Sequence, residues 1–163
     1  MSRVPFDSLP DDARLWVFGS TRPLDDAAGE RLLAEVDRFL DGWAAHGAPL
    51  RAGRDWRDRH FLAVAVDQST AGASGCSIDG LFRSLRTLER DLDTTLLGGG
   101  RVFYREPGAG VRVVDRDRFG ELAASGEVGD ETLVFDTTVG TAREWRDLFE
   151  RQAAESWHAG LMR

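Results

Sequence analysis

HFLAVAVDQSTAGASGCSIDGLFRSLRTLERDL, residues 60–92, decides the fold. Its opening holds the longest apolar run in the chain, Phe61 to Val66, which is too continuous for a strand with one wet face and suits one covered on both. The loop 68–77, QSTAGASGCS, is rich in Gly and Ser. Beyond it Leu81, Phe82, Leu85, Leu88 and Leu92 recur at three- and four-residue spacing, the mark of one apolar helix face. The segment therefore reads strand, loop, helix.

Working outward, LRAGRDWRD at 50–58 is a charged strand that pairs antiparallel with the apolar run. Further upstream, RLWVFGS at 14–20 is a buried strand ended by Gly19 and Ser20. After Pro23, Asp25 or Asp26 caps a helix whose apolar residues Ala28, Leu32, Leu33, Val36, Phe39, Leu40 and Trp43 predict a span of 26–46. Gly47 stands where a left-handed cap is wanted, with Pro49 just beyond. Downstream, RVFYRE at 101–106 reads as a fourth strand. The order β-α-β-β-α-β is that of a ferredoxin-like split βαβ sandwich, so the expectation is a single α+β domain over 1–163. A C-terminal β/α extension adds VRVV at 111–114, a short helix at 119–124 and TLVFDTTV at 132–139. A last helix carries Trp145, Leu148 and Phe149 and is opened by a Thr141/Glu144 capping box.

The apolar run is far short of the ~20 residues that a membrane span needs, and the start, MSRVPFDSLPDD, lacks the apolar centre of a signal peptide. A cytoplasmic protein is expected, with no membrane partner. Cys76 is the only cysteine and closes no internal disulfide. A net charge of −7 opposes binding to nucleic acid. The RAGRDWRDRH stretch, 51–60, places four arginines around Trp56, but Asp55 and Asp58 offset two of them and FLAVAV lacks the stacking aromatics of an RNA-recognition sheet. It reads as an edge strand protected by charge.

The chain contains no lysine and no asparagine. That removes a Walker A nucleotide loop, Schiff-base chemistry and a Cys-His-Asn triad. The scarcity of Ile and Tyr, one each at Ile78 and Tyr104, points to a GC-rich gene as the cause. Gly98, Gly99 and Gly100 precede a strand instead of opening a helix, and so read as a turn.

The loop AGASGCSID, 71–79, is the one chemically pointed feature. Ser77 or Asp79 is expected to cap the following helix, leaving Cys76 at or just before its N-terminus. Unpaired amides and the helix dipole there lower a thiol pKa and hold negative charge. Asp79 competes for those amides. Two readings follow: Cys76 is a small buried filler, as free cysteines often are, or it is a reactive or ligand-contacting thiol. A thiol nucleophile needs a base, and the histidines are His46, His60 and His158. His60 begins the apolar strand, about 20 Å from the loop at strand rise. His46 is expected at the opposite sheet end, which leaves His158 as base with Asp67 or Asp79 as orienting carboxylate. Ser74, Gly75, Ser77, Asp67, Trp157 and His46 complete the candidate ligand contacts. A metal site from Cys76, His158 and Asp67 lacks paired ligand spacing, so neither a metal nor a cofactor is expected.

Four strings taken together, WAAHG at 43–47, AGASGCSID at 71–79, TLVFD at 132–136 and SWH at 156–158, resemble a family of small bacterial proteins of unknown function, common in Bacteroidetes and related groups. Some members bear the label ABC transporter ATPase. The missing Walker lysine and ABC signature contradict that label here. The resemblance implies that His46, Cys76, Asp79, Asp136 and His158 lie in the family's distinguishing strings. Two functions are therefore expected: a thiol-dependent enzyme or sensor for an anionic or acyl small molecule, or a noncatalytic interaction domain that forms a homodimer and keeps Cys76 packed.

Overall fold

The computed structural model describes residues 3–69 and 71–163, so Thr70 of the Cys76 loop lies outside the described residues. The protein is mixed α+β with antiparallel sheets. The domain expected over 1–163 is built as two compact units, residues 1–97 with 138–146 and residues 98–137 with 147–163.

In the first unit, strands β1 (Arg14–Gly19), β4 (Arg51–Arg57) and β5 (Phe61–Asp67) form a sheet in the order β1-β5-β4. All seven residues of β5 are buried, because both faces are covered. On one face lie helices α1 (Asp26–Asp41) and α2 (Gly75–Leu92), whose Leu32, Val36, Leu40, Leu81 and Leu85 pack on Phe18, Leu62, Val64 and Val66. Each such leucine contributes about 1.5–3 kcal/mol by leaving water. On the other face, Phe6 lies against Gly53, while Trp145 of helix α4 (Ala142–Leu148) donates its indole Nε1 to Asp55 at 2.9 Å.

Helix α1 ends at Gly42, not at 46. The residues after it form a small hairpin of β2 (Ala44–Ala45) and β3 (Ala48–Pro49). Its two turn residues, His46 and Gly47, have φ of 51° and 78°, the left-handed pair that a tight hairpin turn requires. Gly47 is thus a hairpin residue and not a helix cap. Trp43 keeps the helical apolar rhythm only because it reaches the same core after the chain has left the helix.

β4 is an edge strand, and its charges are spent within the fold. Arg54 grips Asp37 of α1 with two bonds of 2.8 and 3.0 Å, Arg51 pairs with Asp67, and Arg59 with Asp26. The Arg54 guanidinium is the main reason the Asp37 carboxyl is held below its usual range. This is the charge-protected edge expected from the sequence, with the Arg3–Ala52 bridge lying along it.

The second unit is a four-stranded antiparallel sheet in the order β7-β6-β8-β9, from β6 (Arg101–Glu106), β7 (Gly110–Asp115), β8 (Leu133–Phe135) and β9 (Glu150–Gln152). RVFYRE therefore does not complete the first sheet as the fourth strand of a ferredoxin-like sandwich. The reason is local: Gly108 and Gly110, both with φ of 81°, close a hairpin that offers β6 the next strand in the chain as partner at little loop-closure cost. Helix α3 (Arg116–Ala124) is capped by Asp115, whose carboxylate accepts from the Arg118 amide at 2.7 Å. It lays Phe119 and Leu122 over Val102, Tyr104 and Val134, together with Trp157 and Leu161 from the C-terminal turn.

Candidate functional site

Ser74, not Ser77 or Asp79, caps α2. Its hydroxyl accepts from the Ser77 amide at 3.2 Å, and the Ser77 hydroxyl accepts from the Ser74 amide at 2.8 Å, a reciprocal box in which serine does the work usual for Glu or Gln. The helix thus begins at Gly75 and Cys76 is its second residue. The Ser77 amide is occupied by the cap. Among the described residues, the Gly75 and Cys76 amides are the two of the first turn without an internal acceptor.

Cys76 is exposed, which removes the reading of it as a buried filler. It lines a groove of about 430 Å³ with Asp79, Phe82, Arg83 and Arg86, all on α2. Phe82 forms the apolar wall, held edge-on to Phe18 with ring centroids 5.7 Å apart. Among the described residues neither Arg83 nor Arg86 has an ion pair or hydrogen bond through its guanidinium. Both are exposed, and they stand one turn apart on the same helix.

The expected position of His46 is corrected. Its hairpin leads directly into β4, whose first residue, Arg51, pairs in register with Asp67 at the end of β5. The Cys76 loop leaves from that same end. The indole Nε1 of Trp43 ties the two regions together by donating to the Ser77 carbonyl at 2.8 Å. Exposed His46 thus hangs from the end of the unit where α2 starts. His60 lies at the far end of β5, buried, with its Nδ1 2.8 Å from the Ser20 carbonyl. Burial lowers its pKa.

Asp67 is committed elsewhere. It accepts from the Ser69 hydroxyl at 2.6 Å, the Ser69 amide at 3.0 Å and Arg51 at 3.1 Å. Those bonds, the Ser69 hydroxyl foremost, hold its carboxyl below the usual range, and it orients no histidine. Among the described residues no group of three His, Cys, Asp or Glu side chains is placed to hold a metal ion.

His158 and Trp157 belong to the second unit. His158 is 0% exposed. Its Nδ1 shares a 2.7 Å hydrogen bond with the Ser156 hydroxyl, its ring stacks on Trp157 with centroids 3.9 Å apart, and Phe119 closes the other side. Burial pushes its pKa down to about 4, against the opposing pull of Asp136 and aided by the charge of Arg151. A fully buried imidazole of this kind does not exchange protons with an exposed thiol, so the expected pairing of His158 with Cys76 is replaced by a packing role. Trp157 donates its indole Nε1 to the buried carboxylate of Asp136 at 3.2 Å, which also accepts from Arg151 at 2.6 Å.

The sequence missed Arg83 and Arg86, which were legible only as the polar side of an amphipathic helix. It also missed Tyr104 in the second unit, whose one signal was a lone tyrosine within a strand of otherwise apolar or charged residues. No protein-family model matches the chain, and no curated protein or solved structure is significantly similar to it.

Proposed function

We propose that the groove at the start of α2 is a thiol site for a small anion, with Cys76 as the nucleophile or contact atom. The observation that carries this reading is the pair of uncommitted guanidiniums, Arg83 and Arg86, in one groove with an exposed thiol. Arginines without carboxylate partners beside a soft nucleophile attract a carboxylate- or phosphate-bearing molecule, and the apolar wall of Phe82 suits an acyl or aryl body. The amides of Gly75 and Cys76 supply two further donors for negative charge. Asp79 offsets one of the two positive charges and sets the groove at a net positive balance. His46, on the same end of the unit, is the base we assign in place of His158. The noncatalytic interaction domain loses its packed Cys76, because the thiol is exposed, and is otherwise the second reading.

The test compares thiol reagents of different charge. Cys76 in the intact 163-residue chain is treated with a dianionic aryl disulfide and with a neutral dipyridyl disulfide, and the rate ratio is divided by the ratio for N-acetylcysteinamide. The quotient removes differences in thiol ionisation and exposure that affect both reagents alike. At low ionic strength two guanidiniums within a Debye length favour the anionic reagent by about fivefold, and the preference fades in high salt. Arg83→Gln with Arg86→Gln abolishes it. A quotient near one in the unsubstituted protein overturns the proposal.

A further inference from the structure

The second unit contains a cavity of about 730 Å³ where β6 ends and β7 begins. Its walls are mixed, with Val114, Leu122, Val128 and Leu133 as the apolar part and charged residues around them. Set into them is Tyr104, only 9% exposed, its ring edge-on to Phe119 at 5.7 Å. The Tyr104 hydroxyl makes no hydrogen bond among the described residues. The side chain lines the cavity, and its hydroxyl reaches solvent there.

The rim carries Arg105, Arg112 and Arg118 against Glu106, Glu127 and Glu131, which looks balanced until the pairings are traced. Arg105 is held by Glu150 of β9 through bonds of 2.5 and 3.0 Å. Arg112 is paired with Glu106, and Arg118 with Glu121 at 3.1 Å. All three guanidiniums are therefore engaged. Glu127 receives only the Ser125 hydroxyl, at 3.1 Å, and Glu131 has no ion pair among the described residues. The cavity is left with two carboxylates that have no ion pair and one hydroxyl that has no protein partner among the described residues.

We propose that this cavity is a binding site for a small organic cation, an ammonium or amidinium on an apolar body that carries a second polar group. Glu127 and Glu131 hold the cationic end, the valines and leucines cover the body, and the Tyr104 hydroxyl meets the polar group. The volume lies within the ~300–1,000 Å³ of small-molecule sites. An anion finds no free guanidinium here, which separates this site from the Cys76 groove. Burial, and after it the charge of Glu106, raises the Tyr104 pKa, so the phenol stays protonated and able to donate or accept at neutral pH.

Tyramine, with a phenol at one end and an ammonium at the other, is the probe, and 3-(4-hydroxyphenyl)propionate its matched anion. Binding to the intact 163-residue chain is followed by amide chemical shifts. The expected result is saturable tyramine binding with shifts at Val114, Leu122 and Val128, and no comparable binding of the anion. Tyr104→Phe, which keeps the packing, weakens tyramine about fivefold, the effect of one hydrogen bond. The pair Glu127→Gln and Glu131→Gln, at exposed positions where folding is safe, weakens it more than about tenfold. Absence of saturable binding, equal binding of the anion, or an affinity unchanged in either variant overturns the proposal.

Discussion

His158 makes the stability of the second unit sensitive to mild acid, and the structure gives the size of the effect. In the folded chain its imidazole is neutral down to about pH 4, because burial and the nearby Arg151 oppose a second proton more than Asp136 favours it. In the unfolded chain it protonates at the ordinary value of 6.5. A folded pKa depressed below the unfolded one contributes stability that is present above pH 6.5 and lost as the pH falls toward 4. Over that window the unfolded state binds one more proton than the folded state, and stability falls by up to about 1.4 kcal/mol per pH unit. Between pH 7 and pH 4.5 the loss assigned to this one residue is about 2 kcal/mol. His60, also depressed by burial, acts in the same direction, while Asp37 and Asp67 lose their stabilising ionisation only in stronger acid. The variant His158→Leu isolates the term, since a leucine fills much of the same volume and does not titrate. It costs about 1 kcal/mol at pH 7 by leaving the Ser156 hydroxyl without its partner. The measurement is urea unfolding at the two pH values, followed by the indole N–H resonance of Trp157, the one tryptophan of the second unit. The unsubstituted protein is expected to lose about 2 kcal/mol more than the variant on acidification. Equal losses, or a folded-state titration of His158 near 6.5, refute the reasoning.

Two further outcomes follow from the packing of the first unit. Ser74→Ala removes the acceptor for the Ser77 amide and lowers stability by about 1 kcal/mol, read by urea denaturation with circular dichroism. Gly53→Ala places a methyl 2.8 Å from the Val4 carbonyl oxygen and 3.1 Å from the Phe6 Cα, and neither backbone atom can step aside cheaply. The N-terminal segment is pushed off β4 at a cost of about 1–3 kcal/mol, with loss of hydrogen-exchange protection at the Val4 amide, which bonds the Ala52 carbonyl at 2.8 Å.

The strand at 61–67 and the helix after it were legible because burial on both faces and on one face leave different spacings of apolar residues, and nothing competes with those spacings locally. The end of α1 was not legible, because periodicity reports which side chains are buried and not which backbone carries them. Trp43 is buried from outside the helix. The sheet membership of RVFYRE was hidden for a similar reason: the alternation of Val102 and Tyr104 with Phe103 and Arg105 describes a strand but not its neighbours. In the candidate site, the glycines, serines and Cys76 stood out as a loop, yet the exposure of the thiol depended on which serine capped the helix. A Ser-Ser box is a weaker sequence signal than Ser with Glu three residues on. The pairing of arginines with carboxylates, which singles out Arg83 and Arg86 in one unit and Glu127 and Glu131 in the other, exists only in three dimensions.

The four strings that drew attention in the sequence meet in pairs, one pair in each unit, and an indole makes each junction. In the first unit Trp43 of WAAHG donates to the backbone of Ser77 in AGASGCSID. In the second, Trp157 of SWH donates to Asp136 of TLVFD. An indole covers a large apolar area and carries a single donor, so it fixes two segments in both position and register. The pairs differ in what they leave over. Asp136 and His158 are both buried and bonded within their unit, although the Nε2 of His158 has no hydrogen-bond partner among the described residues. Cys76, Asp79 and His46 are exposed, and none contributes to the core. His46 even occupies a left-handed turn position where glycine or asparagine is easier to accommodate. Residues that the fold does not require, held at one end of a unit by one that it does, are where chemistry is to be sought, which is the argument for proposing the start of α2.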